Sequence, residues 1–325
     1  MRAPVPEIIP GRSGPKERSM ENMRRGKWQI EFLRKDEIHG HKVRARVASV
    51  KTPYQTAEVV DTFDYGRCLF LDGLVQSTEA DEFIYHEALI HPGLMLHPRP
   101  VTVFIAGGGE GAPLREILKH FTVRRIDMAE IDIQVVALAR KHLKAWHRGA
   151  YGDPRVRLHI GDARAFLERT GAAYDLMVLD LCDPGEEGPA RKLYTVEFYR
   201  LLRSRLARGG LVVIQGGSAN INMLEGYARV YRSLRKNFRT VLPYRACVHS
   251  YVGQWGYFLA GDAVRVPSTR TLGKRFRDRK LAGKTRFYDP EVHASLFVQP
   301  PYLRAMLKRG AAITDKRLMV RSRKA

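Results

Sequence analysis

The sequence predicts an α/β protein, a doubly wound parallel sheet preceded by a small antiparallel β domain. Three observations carry this. From Val101 onward, apolar strands alternate with helices of 3.6-residue period, and the first of these strands runs directly into glycines. Residues 28–80 instead hold short β-like runs separated by Asp and Gly. The 325 residues suffice for a sizeable core, and a composition of 44% hydrophobic and 28% charged residues is that of a globular chain. No stretch reaches the roughly 18 consecutive apolar residues of a membrane span, and the first residues lack a signal-peptide core. Cys68, Cys182 and Cys247 form no CxxC pair and match no zinc spacing, so the expectation is a reduced, cytoplasmic protein.

Taken in order, residues 1–27 read as a flexible basic tail. The N-terminal β-rich domain spans 28–80, with strands over Lys42–Val50, Ala57–Phe63 and Arg67–Leu71 and turns at Asp64, Gly66 and Asp72-Gly73. The larger Rossmann-like domain spans 81–310. It opens with a helix over Asp81–Leu96, expected to break at Pro92-Gly93. Val101–Ala106 is a strand apolar except for Thr102, of the kind buried on both faces. Gly107-Gly108-Gly109-Glu110-Gly111 follows, then a helix with Pro113 near its first position. Further strands are Ile126–Ile131, Val156–Ile160, Leu176–Leu181 and Leu211–Gln215, with Val252–Ala260 at the sheet edge. Helices are expected over Gln134–Leu143, after Thr195 with Phe198, Leu201, Leu202 and Leu206 inward, and over 224–234. Residues 311–325 read as a basic C-terminal tail. The result is a Rossmann-like, methyltransferase-like sheet.

The formal charge is +22, which first suggests nucleic acid. Much of the excess, however, lies near the ends and in Lys274, Arg275, Arg277, Arg279 and Lys280, with no aromatic-interleaved RNA-binding signature. These stretches are expected to be flexible, solvated surface with at most weak anion or nucleic-acid contact.

The chemistry concentrates at strand ends. A Gly-rich turn lets a nucleotide-like ligand approach the backbone, and no GK[ST] follows it, which argues against a phosphate-loop NTPase. Glu130 ends the second strand, where an acid can accept both ribose hydroxyls. Asp162 ends the third, where it can accept from an adenine amino group. The fourth ends in Asp180-Leu181-Cys182-Asp183-Pro184. With Glu110, Asp180 and Asp183 make three acids beside an adenosine site, and crowded acids call for a cation. A metal ion is one option, but no histidine or further acid completes an obvious ligand set. The bland alternative makes Asp183-Pro184 a turn and Asp180 a cap.

The stretch Gln76-Ser77-Thr78-Glu79-Ala80-Asp81-Glu82-Phe83-Ile84-Tyr85-His86-Glu87 resembles the segment before the Gly-rich loop of the spermidine synthase family. GGGEG followed by REILKH at 115–120, Glu130-Ile131-Asp132, Gly161-Asp162-Ala163 and DxxDP match that family in order and spacing. Tyr54-Gln55, Leu71-Asp72-Gly73 and Phe287-Tyr288-Asp289-Pro290 fit too, so the resemblance covers roughly residues 28 to 310. It implies transfer of an aminopropyl group from decarboxylated S-adenosylmethionine, a co-substrate, to a polyamine, with no cofactor and no metal. It places Gln55, His86 and Glu110 around the sulfonium and aminopropyl arm, Glu130 on the ribose, and Asp162 with the Ala163 backbone on the adenine. Gly107, Gly109 and Gly111 form the nucleotide loop. Asp180 becomes the proton acceptor, with Tyr85 and Asp183 holding the acceptor amine. A structural role is the alternative for His86 (core histidine), Tyr85 (packing) and Gln55 (strand edge). The family also implies a homodimer or homotetramer.

Departures from the family pattern are informative. The loop has Glu110 and Ala112 where GGGDGG is usual, Leu181 and Cys182 separate the aspartates, and the loop from Asp183 to Pro189 is one residue longer. Glu187-Gly188-Pro189, Leu193-Tyr194-Thr195, Ser250-Tyr251 and Trp255-Gly256 are similar to the thermospermine synthase branch, which implies spermidine rather than putrescine as acceptor. A methyltransferase would share the glycines and Glu130 but not the three acids. A nucleic-acid-binding protein on a retired enzyme fold is the alternative of another class.

Overall fold

The computed structural model describes residues 26–183, 188–262 and 264–319. Most of the tail expected over 1–27 lies outside these residues, as does Glu187.

Five strands make an antiparallel meander, β1 (Trp28–Arg34), β2 (Glu37–Lys51), β3 (Thr56–Thr62), β4 (Arg67–Leu71) and β5 (Leu74–Thr78), paired in that order. Asp72 and Gly73 both adopt positive φ, 48° and 78°, the two-residue turn that matches strand twist. Asp72 fixes it further, its Oδ1 accepting from Thr56 N at 2.7 Å. The sheet curls until Val75 N–H on β5 donates to Glu31 Oε2 on β1 at 2.6 Å. β1 and β5 were absent from the sequence expectation. The face of the β1–β2 hairpin carrying Gln29, Glu31 and His41 is buried, whereas Ile30, Phe32 and Ile38 on the opposite face are exposed. Polar residues point inward and apolar ones outward, the reverse of an ordinary half-buried strand.

The second sheet has seven strands: β6 (Thr102–Gly107), β7 (Arg125–Glu130), β8 (Val156–Ile160), β9 (Tyr174–Asp180), β10 (Leu206–Ser218), β11 (Thr240–Val248) and β12 (Gly253–Gly261). Their spatial order is β11-β12-β10-β9-β6-β7-β8. β8, β7, β6, β9 and β10 run parallel, and β12 pairs antiparallel with both β10 and β11. Val252–Ala260 is therefore not the sheet edge. β11, which the sequence reading left unassigned, lies outside it. The central strands are apolar because both faces are covered: Val103 and Ile105 of β6 join one core, Phe104 and Ala106 the other. Burial of each large side chain contributes about 1.5–3 kcal/mol.

The helix expected to break at Pro92-Gly93 is continuous, α1 (Glu82–Leu96). Proline removes the bond to the carbonyl four residues back, and that carbonyl, Ala88 O, accepts instead from Tyr244 Oη at 3.1 Å on β11. Gly93 lets α1 lie close on the sheet, since a Cβ there would meet Val213 Cγ2 at 2.5 Å. Between the strands come α2 (Ala112–Leu118), α3 (Ile133–His142), α4 (Lys144–His147), α5 (Ala163–Arg169), α6 (Val196–Ser204) and α7 (Leu224–Leu234). Thr195 caps α6 as expected, accepting from Phe198 N at 3.2 Å. Leu206, placed in that helix by its periodicity, instead begins β10.

Three late helices follow, α8 (Thr269–Asp278), α9 (Pro290–Leu296) and α10 (Pro301–Met306). Here the reading of the basic run 274–280 as flexible, solvated surface needs correction. Leu272 and Phe276 bury one face of α8, Arg275 is half-buried, and Arg279 just beyond the helix is 4% exposed. Residues 311–319 do not trail away either: Ile313 is fully buried and Asp315 pairs with Arg164 at 2.9 Å. Among the described residues, no helix is long and apolar enough to cross a membrane.

Candidate active site

The chain leaves β6 toward β7 and leaves β9 toward β10, in opposite directions, so the carboxyl ends of β6 and β9 flank the point where such sheets open a crevice. Gly107 and Asp180 are register partners at that point. Gly107 has φ +81°, and a Cβ on it would lie 2.1 Å from Asp180 O. Only glycine allows this approach, which Gly108 N–H secures by donating to Asp180 O at 2.9 Å. Tyr151 holds the loop from the other side, its hydroxyl donating to Gly109 O at 2.6 Å.

A cavity of about 190 Å³ opens here, between the strand ends and the inner face of the first sheet. Gln55, Tyr85, Gly107, Gly109, Glu110, Glu130, Asp162, Ala163, Asp180 and Asp183 all line it. Two expected residues do not. Gly111 turns into α2, with its α-carbon facing His147 and Tyr151. His86 is fully buried and does not line the cavity, and its Nε2 is engaged by Glu110 Oε1.

Asp180 is buried. Tyr85 Oη donates to its Oδ1 at 2.6 Å, while its Oδ2 has no hydrogen-bond partner among the described residues. Burial, and then the negative charge of Glu110, push the Asp180 carboxyl up to about 7, against the opposing pull of His86 and the Tyr85 hydrogen bond.

Glu110 ends a buried chain of alternating charge. His86 Nε2 donates to Glu110 Oε1 at 2.8 Å, and His86 Nδ1 to Glu82 Oε2 at 2.9 Å. Arg115 Nη2 and Nη1 in turn grip Glu82 Oε2 and Oε1 at 2.8 and 3.0 Å. With carboxylates on both ring nitrogens, both must donate, and the ring is an imidazolium. Burial alone would lower its pKa, but the two carboxylates outweigh it and raise it to about 10. The three crowded acids expected from sequence are thus partly compensated from within: His86 balances Glu110, and Arg115 balances Glu82.

Glu130 at the end of β7 accepts from Asp132 N–H at 2.9 Å through Oε1. Burial, then the neighbouring charges of Glu110 and Asp132, push it up to about 7 despite that bond. Asp162 caps α5, its Oδ1 accepting from Ala165 N at 2.7 Å. Gln55 does not stand alone at a strand edge. Its Nε2 donates to Asp132 Oδ2 at 3.2 Å, an oxygen that Thr52 Oγ1 also reaches at 2.7 Å. Asp132 thereby ties the β2–β3 loop to the second strand end of the larger sheet, a role no sequence pattern assigned to it.

Sequence reasoning also passed over much of the opposite wall: Gln76, Gln215, Tyr251 and Trp255 line the cavity, with Glu31 and Glu37 from the hairpin. Tyr251 stacks edge-on against Tyr85 at 5.5 Å and tilts against Trp255 at 4.5 Å. Asp81 fixes this turn by accepting from Ser250 N and Oγ, each at 2.8 Å. The signal was present, since Gln76, Tyr251 and Trp255 sit inside the motifs already quoted.

The model of the spermine/spermidine synthase domain matches residues 82–268, and that of the spermidine synthase tetramerisation domain matches 27–79. The chain belongs to the spermidine synthase family of aminopropyltransferases. It is 38% identical over 291 residues to a polyamine aminopropyltransferase of Sulfurisphaera tokodaii, covering 89% of this chain and 96% of that one. It is 41% identical over 281 residues to polyamine aminopropyltransferase 2 of Hyperthermus butylicus, covering 85% and 91%. A crystal structure of a spermidine synthase in complex with the transition state analogue AdoDATO superposes with a TM-score of 0.82 at 28% identity, covering 88% of this chain and 96% of that one. An aminopropyltransferase accounts for a fold in which a Gly-rich strand-end crevice and a buried carboxylate, one of its oxygens without a partner among the described residues, share one cavity.

Proposed function

We propose that this aminopropyltransferase takes decarboxylated S-adenosylmethionine as donor and spermidine as acceptor, giving thermospermine or a related tetraamine. The observation that carries the chemistry is Asp180 Oδ2, a buried acceptor without a partner among the described residues, on a cavity that also holds the Gly-rich turn. The donor lies on Gly107–Gly111, its ribose on Glu130 and its adenine beside Asp162 and Ala163. Its sulfonium arm passes Gln55 and Glu110 toward Asp180, with His86 orienting Glu110 from behind. Tyr85 and Asp183 hold the attacking amine.

The amine nitrogen's lone pair forms a bond to the carbon next to sulfur. The C–S bond breaks with its electron pair left on sulfur, and methylthioadenosine departs neutral. The amine's proton goes to Asp180. A primary amine resembling lysine has a pKa of about 10.4, so freeing its lone pair at pH 7 costs about 4.6 kcal/mol. Proton acceptance and alignment together offset that cost. Spermidine is supported by Tyr251 and Trp255 on the wall and by two further carboxylates, Glu31 and Glu37, which offer ammonium partners beyond the reacting end. Incubating the enzyme with donor and, separately, putrescine, agmatine, cadaverine, norspermidine and spermidine tests the reading, with products weighed and their isomers separated by chromatography. Spermidine should react fastest. Preference for putrescine would replace the acceptor assignment, and product from intact S-adenosylmethionine alone would point to methyl transfer.

The exposed Ile30, Phe32 and Ile38 fit burial against a second copy of the chain, in keeping with the tetramerisation domain matched by this segment. The spacing of the three cysteines, with no CxxC pair, supports a cytoplasmic location. The nucleic-acid reading is weakened because Arg275 and Arg279 of the basic run serve the interior.

A pH profile follows from Asp180. A raised pKa means the carboxyl is protonated below about 7 and cannot accept a proton there. The ionised fraction of such a group falls about fivefold from pH 7 to pH 6, and the rate at subsaturating donor and acceptor should fall by at least that factor. In His86→Gln, which loses a neighbouring positive charge, the break should move to higher pH. A wild-type profile without a break near pH 7, or one unmoved by that substitution, would count against Asp180 as the titrating group.

A further inference from the structure

On the inner face of the β1–β2 hairpin, Glu31 and His39 are register partners, and His41 lies two residues further along β2. Alternation places all three side chains together. Glu31 Oε1, His39 Nδ1 and His41 Nε2 lie within 4.8 Å of one another. We propose that these three atoms form a binding site for a divalent transition ion of the zinc class, sharing the Glu31 carboxylate with the cavity.

Two imidazole nitrogens and one carboxylate oxygen make the borderline donor set that suits zinc and disfavours magnesium or calcium. Ligand atoms around a tetrahedral ion with bonds of about 2.0–2.2 Å stand about 3.3 Å apart. His39 Nδ1 is already 3.5 Å from Glu31 Oε1, and His41 Nε2, at 2.6 Å, needs to move by about 0.7 Å. His39 Nδ1 is itself a buried atom with no hydrogen-bond partner among the described residues. The carboxylate is preoriented, because Val75 N–H holds Glu31 Oε2, leaving Oε1 to the histidines. The His41 ring is fixed edge-on between Tyr65 and Phe70, at 5.5 and 5.6 Å. The nearby Arg46 guanidinium is engaged by Glu58 and Gln29. Because Glu31 also lines the cavity, a bound ion removes a carboxylate from the acceptor's surroundings.

The site stands apart from the catalytic residues, and only its effect on the acceptor rests on the proposed function. The test is titration of the EDTA-stripped full chain with ZnCl2 by calorimetry, and with CoCl2 followed by visible absorption. One equivalent per chain and the intense bands of tetrahedral cobalt are expected. His39→Ala should weaken binding at least about tenfold, and so should His39→Gln, which retains a polar side chain if the alanine variant folds poorly. Absence of stoichiometric zinc binding would overturn the proposal. So would binding that survives both variants, which would locate the ion at His86, Glu110 and Asp180, where a second set of donor atoms converges. Failure of aminopropyl transfer would leave the titration untouched, so the two readings fail separately.

Discussion

Asp180→Asn should lower turnover by about three orders of magnitude while methylthioadenosine binding stays within about tenfold. The first figure comes from the free energy of generating a neutral amine at pH 7, about 4.6 kcal/mol, which is about three decades in rate once the proton acceptor is gone. The second comes from geometry. Asparagine has the same shape, keeps an oxygen for the Tyr85 hydroxyl, and leaves Asp180's backbone oxygen in place for Gly108. The same substitution should leave the melting temperature at pH 8 unchanged or raise it, because a buried carboxylate oxygen without a partner is a burden on the fold when ionised. Single-turnover kinetics, calorimetry with methylthioadenosine and a thermal melt separate these effects. Slow turnover with a lowered melting temperature would mean damaged structure. Turnover within tenfold of wild type would show that another group takes the proton.

The larger sheet was legible because its strands are buried on both faces, which leaves apolar runs such as Val103–Ala106 and Leu176–Leu179. The site was legible for a related reason. Ligands meet such sheets at strand ends, so Gly107, Glu130, Asp162 and Asp180 could be placed by counting strands. β1 was harder, since its Gln29 and Glu31 face inward and Ile30 and Phe32 outward, and a polar inner face gives no core signal. Pro92 misled because the acceptor it frees, Ala88 O, is satisfied by Tyr244, 156 residues away in sequence, a tertiary answer to a local defect. His86, expected beside the donor, does not line the cavity. Spacing puts it on the inner side of α1, but only three dimensions reveal Glu110 in front of it and Glu82 behind. The neutralising chain Glu110–His86–Glu82–Arg115 joins residues up to 33 positions apart and has no contiguous motif. Charge counting alone therefore overstated how negative the cavity is.

Arg279→Met should destabilise the fold by about 3–5 kcal/mol, lowering the melting temperature by roughly 10 °C, with kcat at 25 °C close to wild type. The reason lies at the C-terminus of α1, where helix carbonyls have no partners of their own and the last turn carries no basic residue. α8 and the residue after it supply the missing donors. Arg279 donates to Leu94 O, to His97 O at 2.8 Å and to Pro98 O at 2.9 Å, while Arg275 donates to Met95 O at 2.7 Å and Leu96 O at 2.9 Å. Burial, together with the Arg275 charge beside it, lowers the Arg279 pKa to about 10, so the guanidinium remains charged at pH 7. Its five donors in a planar fork reach several carbonyls at once, whereas an ammonium holds fewer. Methionine fills the volume but leaves buried acceptors empty, and Arg279→Lys should recover less than half of the loss. Since Tyr85 and His86 lie in the first turns of α1, far from this end, catalysis at low temperature should survive. A methionine variant melting within about 2 °C of wild type would mean that water satisfies those carbonyls equally well and that the basic run contributes little to the fold.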